Sequence, residues 1–375
     1  LVNLVGHQLR ETIIDFSRVL QFASPGFDVS LQEIFTTLLA GGTLFMTAKE
    51  TRDDVRELFA AVGRHDITTL FFPTAFLKFL ARESGFLDLV PRGVRHIVVA
   101  GEQLTVNAEL KDFLLARGIY LHNHYGPTET HVITALTLDP ARALPSIPPV
   151  GRPVSNCAVY IVNPAGLLQP LFVAGELVLG GVHVARGYLN DVTMTAERFG
   201  GDFHGFFRHG LHGQPRIFTE GFGEGECISA ELGIGSSQTD GIQEKTILLK
   251  SSCGGPGNRG AAPHVLSRRA PGRRRQSFYK SGDLGRWVGG GDIEFLGRVD
   301  RQVKIRGYRV ELAEIEQGLT GFGGVRQAAV IDRTNENGQT FLCAYIVLET
   351  GSGGGSRGMR NYKEYLARFL PDYMI

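Results

Sequence analysis

Between Tyr120 and Thr134 the chain reads YLHNHYGPTETHVIT, and Asn123 to Thr130 alone bring together an amide, an imidazole, a phenol, two hydroxyls and a carboxylate. Glycine tolerates unusual backbone angles and proline lacks an amide donor. Gly126-Pro127 must therefore end the extended run ahead of it and leave Asn123, His124 and Tyr125 at its tip. Thr128, Glu129 and Thr130 follow at once. Such a set suits a polar ligand with a flat ring. An Asn/Gly/Pro turn with no ligand has the same composition, so this stretch does not decide between the two by itself.

The elements that must position those side chains are legible from residue 27 to residue 133, where helix-like and strand-like patterns alternate as in a parallel sheet. Ser30 and Glu33 have the spacing of a capping box, with Leu31, Ile34, Phe35, Leu38 and Leu39 as the expected apolar face of the helix and Gly41-Gly42 as its end. The strand GTLFMTA follows, then an amphipathic helix with Val55, Leu58, Phe59 and Val62 on one face. Next come the strand ITTLFF stopped by Pro73, a helix around Phe76 to Leu80, the strand VRHIVVA ended by Gly101, and a helix through Leu110 and Leu114. The order is β-α-β-α-β-α-β, and ligands of such sheets sit outside the carboxyl ends of the strands. Leu70 to Phe72, Val98 to Gly101 and Asn123 to Tyr125 lie where strands leave the sheet, and Asp28 precedes the first helix. These residues are expected to converge on one pocket.

A chain of 375 residues is long for one core and suggests two domains, or one large domain with an appendage. Its 43% apolar and 21% charged residues are those of a globular protein, and its net charge of +1 argues against steering toward nucleic acid or an anionic membrane. Cys157, Cys227, Cys253 and Cys343 lack CxxC spacing, so neither a zinc site nor a disulfide framework is indicated, and a reducing cytoplasm is the expected compartment. No apolar run approaches the roughly 18 residues of a membrane span. The opening LVNLVGHQLRET is not a signal peptide and reads as the middle of a longer chain, as does the closing ARFLPDYMI.

From Val150 to Gly200 short strands and Gly-rich turns suggest an antiparallel or barrel-like layer. Residues 205 to 277 do not match their surroundings: between Ser251 and Ser277 there are six Arg and no acidic residue, which points to a disordered or aberrant insert rather than a nucleic-acid arm. Order returns at FYKSGDLGRW. After the Gly289-Gly290-Gly291-Asp292 turn, alternating strands run into a helix with Leu312, Ile315 and Leu319 inside. Two more strands and a closing helix through Tyr362, Leu366, Phe369 and Leu370 complete a small α+β domain. The division expected is 1–298 and 299–375.

Six stretches, FDVSLQEIFTTLLAGGTL, HYGPTET, GELVLGGVHVARGYL, YKSGDLGRW, GRVDRQVKIRGYRVELAEIE and LPDYMI, together resemble the amino-acid-activating adenylation domains of nonribosomal peptide synthetases, within the wider adenylate-forming family. The resemblance covers roughly 300 residues in matching order. It implies an α/β fold with a large N-terminal subdomain, built of a parallel sheet and a barrel-like β layer, and a smaller C-terminal α+β subdomain. The implied activity is attack of an amino-acid carboxylate on the α-phosphate of ATP, then transfer to the phosphopantetheine thiol of a carrier protein, with carrier and condensation domains of the same synthetase as partners. The same resemblance implies that Tyr125 stacks on adenine with Gly101 across from it, Asn123 binds the exocyclic amine, Thr128 approaches the α-phosphate and Glu129 holds Mg²⁺. Asp283 would take the ribose hydroxyls with Arg298 assisting, and Phe295 stands where the family often has Tyr. Asp300 aligns with the hinge, and Lys304 lies in the segment that swings in for the second step.

By the same carry-over, the substrate pocket comprises Asp28, Val29, Gln32, Leu70, Val98, Ala100, His124, Val132 and Ile133. Asp28 would pair with the substrate's α-ammonium, and the lining is mostly aliphatic. The combination resembles the family's pattern for L-proline or a ring-substituted proline, and pipecolate or methylproline differ from it by too little to be separated. An acyl-CoA or aryl-acid ligase of the same fold and a catalytically inactive remnant are the alternatives. The family's phosphate loop would precede Leu1 and its terminal catalytic Lys would follow Ile375, so these residues alone are expected to be inactive.

Overall fold

A computed structural model describes residues 1–200, 277–300, 302–305, 308–334, 340–348 and 359–375, together with two short strands at 234–236 and 245–247. The chain opens with α1 (Val2–Glu11), β1 (Arg18–Gln21), α2 (Asp28–Leu39) and β2 (Thr43–Met46). It continues through α3 (Lys49–Asp53), α4 (Val55–Arg64), β3 (Thr69–Pro73), α5 (Thr74–Arg82), β4 (His96–Ala100), α6 (Ala108–Arg117) and β5 (Tyr120–Tyr125), then turns back in β6 (Thr134–Leu138) and β7 (Arg152–Pro153). These strands form one sheet in the order β2-β1-β3-β4-β5-β6-β7. The first five run parallel, and β6 and β7 are antiparallel additions beyond β5. The β-α-β-α-β-α-β reading from β2 to β5 therefore holds. The four-residue β1, inserted between β2 and β3, is an addition that its short sequence did not announce.

The two faces of this sheet are covered differently. On one, Leu70, Phe72, Ile97, Val99 and Leu121 pack with Leu58, Phe59 and Val62 of α4, Leu77 and Leu80 of α5 and Leu110 and Leu114 of α6. Asp54 caps α4 by accepting hydrogen bonds from the backbone nitrogens of Arg56 and Glu57, and Asn107 caps α6 through Leu110 N. The other face carries Val19, Phe71 and Val98 with Val29 of α2 packed against them.

The orientation of α2 corrects the sequence expectation. Its buried residues are Ser30, Gln32, Glu33, Thr36 and Thr37, whereas Leu31, Leu38 and Leu39 are 42%, 56% and 67% exposed and Phe35 is exposed as well. The capping box does not form either. Ser30 Oγ donates to Phe27 O at 2.7 Å, and Glu33 reaches away from the helix to accept from the backbone nitrogens of Phe22 and Ala23, both at 3.1 Å. Thr36 and Thr37 donate to carbonyls one turn back. Apart from Gln32 Oε1, the buried polar groups of this face thus find hydrogen-bond partners, and these bonds offset the cost of burying them.

After the break come β8 (Cys157–Val162), β9 (Gly175–Gly181), α7 (Val192–Arg198) and β10 (Phe199–Gly200), then β11 (Ile234–Ser236) and β12 (Lys245–Ile247). The last two pair antiparallel within a compact unit of their own, Gly210–Arg274. The rest of the stretch 205–277, for which an insert was expected, lies outside the described residues apart from Ser277. β13 (Phe278–Trp287) and β14 (Ile293–Arg298) complete a five-stranded sheet ordered β10-β13-β9-β8, with β14 beside β13. All its pairings are antiparallel, as expected of this layer.

Beyond it, β15 (Gln302–Ile305), β16 (Tyr308–Glu311), α8 (Leu312–Thr320), β17 (Val325–Thr334), β18 (Thr340–Leu348) and α9 (Met359–Leu366) share a separate apolar cluster. Leu312, Ile315, Leu319, Leu366 and Leu370 are inside it, while Phe369 is exposed.

Burial pushes the Glu33 carboxyl up to about 7 from an ordinary 4.5, with the Ala23 and Phe22 amides pulling the other way. The folded state therefore holds its proton more tightly than the unfolded chain does. This group's stabilising contribution is intact below about pH 4.5 and declines as pH rises to about 7, by up to roughly 3 kcal/mol. Denaturant titrations at pH 5 and pH 8 should show a pH-dependent stability loss that shrinks in Glu33→Gln. An equal loss in both proteins would contradict this assignment.

Candidate functional site

β5 ends where Gly126 turns the chain. A Cβ on Gly126 would lie 1.7 Å from His131 O, so only glycine permits the loop 126–131 to fold back this tightly. Strand alternation then sorts the tip residues. His124 falls on the same face as Val98 and Ala100, whereas Asn123 and Tyr125 fall on the other. Asn123 Nδ2 donates to Pro149 O at 2.9 Å, which fixes the amide and leaves Oδ1 as its acceptor.

Tyr125 OH donates to Asp283 Oδ2 at 2.6 Å and so ties the end of the parallel sheet to β13 of the antiparallel one. Burial and the neighbouring Asp283 carboxylate push the phenol well above its ordinary range, so it remains a donor. Its ring centre lies 6.1 Å from that of Phe295. Asp283 Oδ1 accepts from Arg298 Nη1 at 2.5 Å, directly across the β13–β14 ladder. The same guanidinium donates to Asp300 through Nε at 2.6 Å and Nη2 at 2.7 Å, and to Ser281 O at 3.1 Å. Arg198, at the end of α7, adds a 3.5 Å contact to Asp300. Burial alone would raise the Asp300 carboxyl; the Arg298 hydrogen bonds and charge hold it below its usual value. Gly282 has φ +73°, and a Cβ there would lie 2.8 Å from Asp300 Oδ2, so this arrangement also requires glycine.

Glu129 is buried, and its Oε1 accepts from Tyr188 OH at 2.7 Å; Tyr188 OH is in turn 3.3 Å from Tyr279 OH. Thr128 beside it is exposed. Among the described residues no group of three or more His, Cys, Asp or Glu could cage a metal ion. A single hard carboxylate is the donor set that suits Mg²⁺ shared with phosphate oxygens, since that ion keeps most of its shell for water and phosphate. The residues present therefore fit that ion.

The loop also reaches α2. His131 Nδ1 accepts from Val132 N at 2.8 Å, so its Nε2–H is the donor to Asp28 O, 3.1 Å away. Asp28 is half-buried at the start of α2, and Gln32 meets His124 one turn later. Asp28, Val29, Gln32, Val98 and His124 thus share the α2 side of the sheet, with Ala100 at the strand end on the same face. Leu70 does not join them. Its register with Ile97 turns it into the core under α4, and Phe71 takes the place opposite Val98. Val132 and Ile133 diverge, Val132 packing with Leu4 and Val154, and Ile133 with Val150 and Tyr279. Gly101 follows β4 with φ +107°. Lys304 pairs with Arg309 across the β15–β16 hairpin. Tyr188, Tyr279, His131 and Arg198 are contacts that the sequence reading gave no role; Tyr188 inside GELVLGGVHVARGYL, Tyr279 at the start of YKSGDLGRW and His131 within Tyr120–Thr134 lay in stretches already marked, and Arg198 did not.

Residues 1–189, half of the chain, match the family described as AMP-binding enzyme. The whole chain aligns at 40% identity with part of gramicidin S synthase 2 from Brevibacillus brevis and at 37% with part of tyrocidine synthase 2 from Brevibacillus parabrevis. It spans only 7% and 8% of those two proteins. Among solved structures, IdnL1 superposes with a TM-score of 0.71 at 19% identity, over 100% of this chain and 62% of that one. A fused adenylation-PCP di-domain, NpsA-ThdA from Klebsiella oxytoca, superposes with a TM-score of 0.65 at 21% identity, over 99% and 56%. The fold is thus that of adenylate-forming enzymes. Among the described residues no helix is long and apolar enough to cross a membrane.

Because Tyr188 OH donates to a buried carboxylate, Tyr188→Phe should cost about 1–3 kcal/mol of stability in urea denaturation. A change below about 0.3 kcal/mol would show that the bond carries no weight.

Proposed function

Since the chain belongs to the AMP-binding enzyme family, we propose that it is part of an amino-acid adenylation domain of a peptide synthetase and that its substrate is L-proline or a close cyclic analogue. One observation carries this reading. The hydrogen bond from His131 Nε2 to the backbone carbonyl of Asp28 supports it, because it joins the first residue of α2 to the loop that follows Tyr125 and holds Glu129. Asp28 binds the substrate's ammonium by a charge-assisted contact at a partly desolvated site. That assignment favours an amino acid over the acyl or aryl acids of same-fold ligases, which bring no ammonium.

Adenine lies on the Tyr125 ring with Gly101 behind it, and Asn123 Oδ1 accepts from its amine. Asp283 accepts the ribose hydroxyls. A carboxylate has about four lone-pair sites, so this adds to the Tyr125 and Arg298 contacts without displacing them. Thr128 is at the α-phosphate. Glu129 would hold Mg²⁺, which would supply charge neutralisation at the phosphates. The protein's own contribution is positioning and preorganised polarity.

The boundary near 298–299 separates a large subdomain from a small one that turns about Asp300. This movement brings the Lys304 segment to the site for transfer to a carrier domain's phosphopantetheine, in a cytoplasmic assembly with condensation domains.

ATP–pyrophosphate exchange with a panel of amino acids tests this in the synthetase containing the chain. Proline should rank first, and Asp28→Ala should lower kcat/KM for it at least about 100-fold with little change in the KM for ATP. Preference for leucine or phenylalanine would overturn the substrate assignment.

A further inference from the structure

Two imidazoles with no part in the proposed chemistry grip the backbone of Val132 from both ends. His131 has φ +57°, in the left-handed region that histidine tolerates better than most residues. Its Nδ1 accepts from Val132 N at 2.8 Å, and its Nε2–H donates to Asp28 O at 3.1 Å. His183, two residues beyond β9, meets the other end, with Nδ1 2.8 Å from Val132 O. A carbonyl only accepts, so Nδ1 carries the proton and Nε2 is left as the acceptor. That acceptor receives Asn3 Nδ2 at 2.7 Å. Asn3, on α1, gives its other amide hydrogen to Ser155 O at 2.7 Å and accepts from Asn156 Nδ2 at 2.8 Å. Both rings therefore work as neutral groups. Burial pushes them that way, His183 down to about 4 and His131 below its ordinary value.

Val132 follows directly on the loop that carries Glu129, and the stretch after β9 runs alongside that loop. Ala185 N donates to Glu129 O at 2.9 Å, Tyr188 OH donates to its carboxylate at 2.7 Å, and Ile133 N closes the base of the loop on Tyr125 O at 2.8 Å. We propose that His131 and His183 form a clamp, a pair of positioning residues that transmits the setting of the Glu129 loop to the first residue of α2. The clamp holds the phosphate end and the amine end of the site in register. The proposal rests on the reading of Glu129 as the Mg²⁺ ligand and Asp28 as the amine anchor. Attack of a carboxylate on an α-phosphate joins two bound ligands, and a misplacement of about 1 Å can cost about a hundredfold in rate. Loosening the clamp therefore acts on kcat rather than on either KM.

The test is ATP–pyrophosphate exchange in the full synthetase containing this chain, with the amino acid that gives the most exchange. His131→Asn keeps a residue that tolerates the left-handed region and an oxygen that can accept Val132 N, but it is too short to reach Asp28 O. His183→Ala removes the donor to Val132 O, and His183→Asn puts one back near the place of Nδ1. His131→Asn and His183→Ala should each lower kcat about tenfold to a hundredfold with both KM values within about threefold, and His183→Asn should recover most of the loss. Because the two rings act in series on one residue, the double variant should lose no more than about threefold beyond the worse single one.

Histidines that only stabilise the fold would lower the melting temperature and leave kcat of the folded fraction unchanged, and that result overturns the proposal. So does a loss confined to KM, or losses that multiply in the double variant. Should His183→Ala fail to fold, the other two variants decide: His131→Asn must lose kcat and His183→Asn must keep it, and full kcat in the former overturns the clamp. Exchange indifferent to both Asp28→Ala and Glu129→Gln brings down the reading beneath the proposal instead.

Discussion

The carboxylate of Asp283 is where the two sheets and the connection to the C-terminal residues meet. One oxygen takes the phenol at the tip of β5 and the other takes Arg298, whose remaining donors go to Asp300 and Ser281. A half-buried ion pair stabilises a fold only when its surplus donors and acceptors are also satisfied. Here four hydrogen bonds from one guanidinium are spread over two carboxylates and a carbonyl, and the close approach that this requires explains the glycine at 282. Both oxygens of the carboxylate are thereby held in fixed directions. A strand end, a ladder pair and Asp300 are thus joined by one set of hydrogen bonds.

The parallel sheet divides the molecule energetically. Its α4–α6 face is an apolar core stabilised by buried area, which tolerates small shifts. Its α2 face is a polar seam whose hydrogen bonds have fixed partners: Glu33 to the 22–23 amides, Gln32 to His124, and His131 to the first carbonyl of α2. Such a seam leaves the start of α2 little freedom. A carboxylate at its first residue is therefore held relative to the loop 126–131 without any direct contact between Asp28 and Glu129.

The parts of the fold legible in the sequence were those governed by local pattern. Strand-ending Pro73 and Gly101, the break at Gly126-Pro127, the Leu58/Phe59/Val62 face of α4 and the Leu312/Ile315/Leu319 face of α8 all stand as read. The face of α2 was not legible, because its apolar residues form a convincing stripe while the partners of its buried polar residues sit as far away as His124 in β5. Leu70 was misplaced for a related reason. Motif position does not encode which way a strand's alternation points, and the β3–β4 register gives the α2 face to Phe71. The Tyr188–Glu129 and Arg198–Asp300 contacts join residues 59 and 102 positions apart, a separation over which residue spacing carries no signal.

The central claim is that one cleft holds a nucleotide at Tyr125 and Asp283 and an amine at Asp28. It is tested most directly by a crystal structure of the synthetase's adenylation domain with a non-hydrolysable prolyl-adenylate mimic. The account predicts ribose oxygens within hydrogen-bond distance of Asp283, adenine against Tyr125, and the ring nitrogen at the Asp28 carboxylate. A mimic bound with its adenosine away from Asp283, or its ring nitrogen away from Asp28, would contradict it.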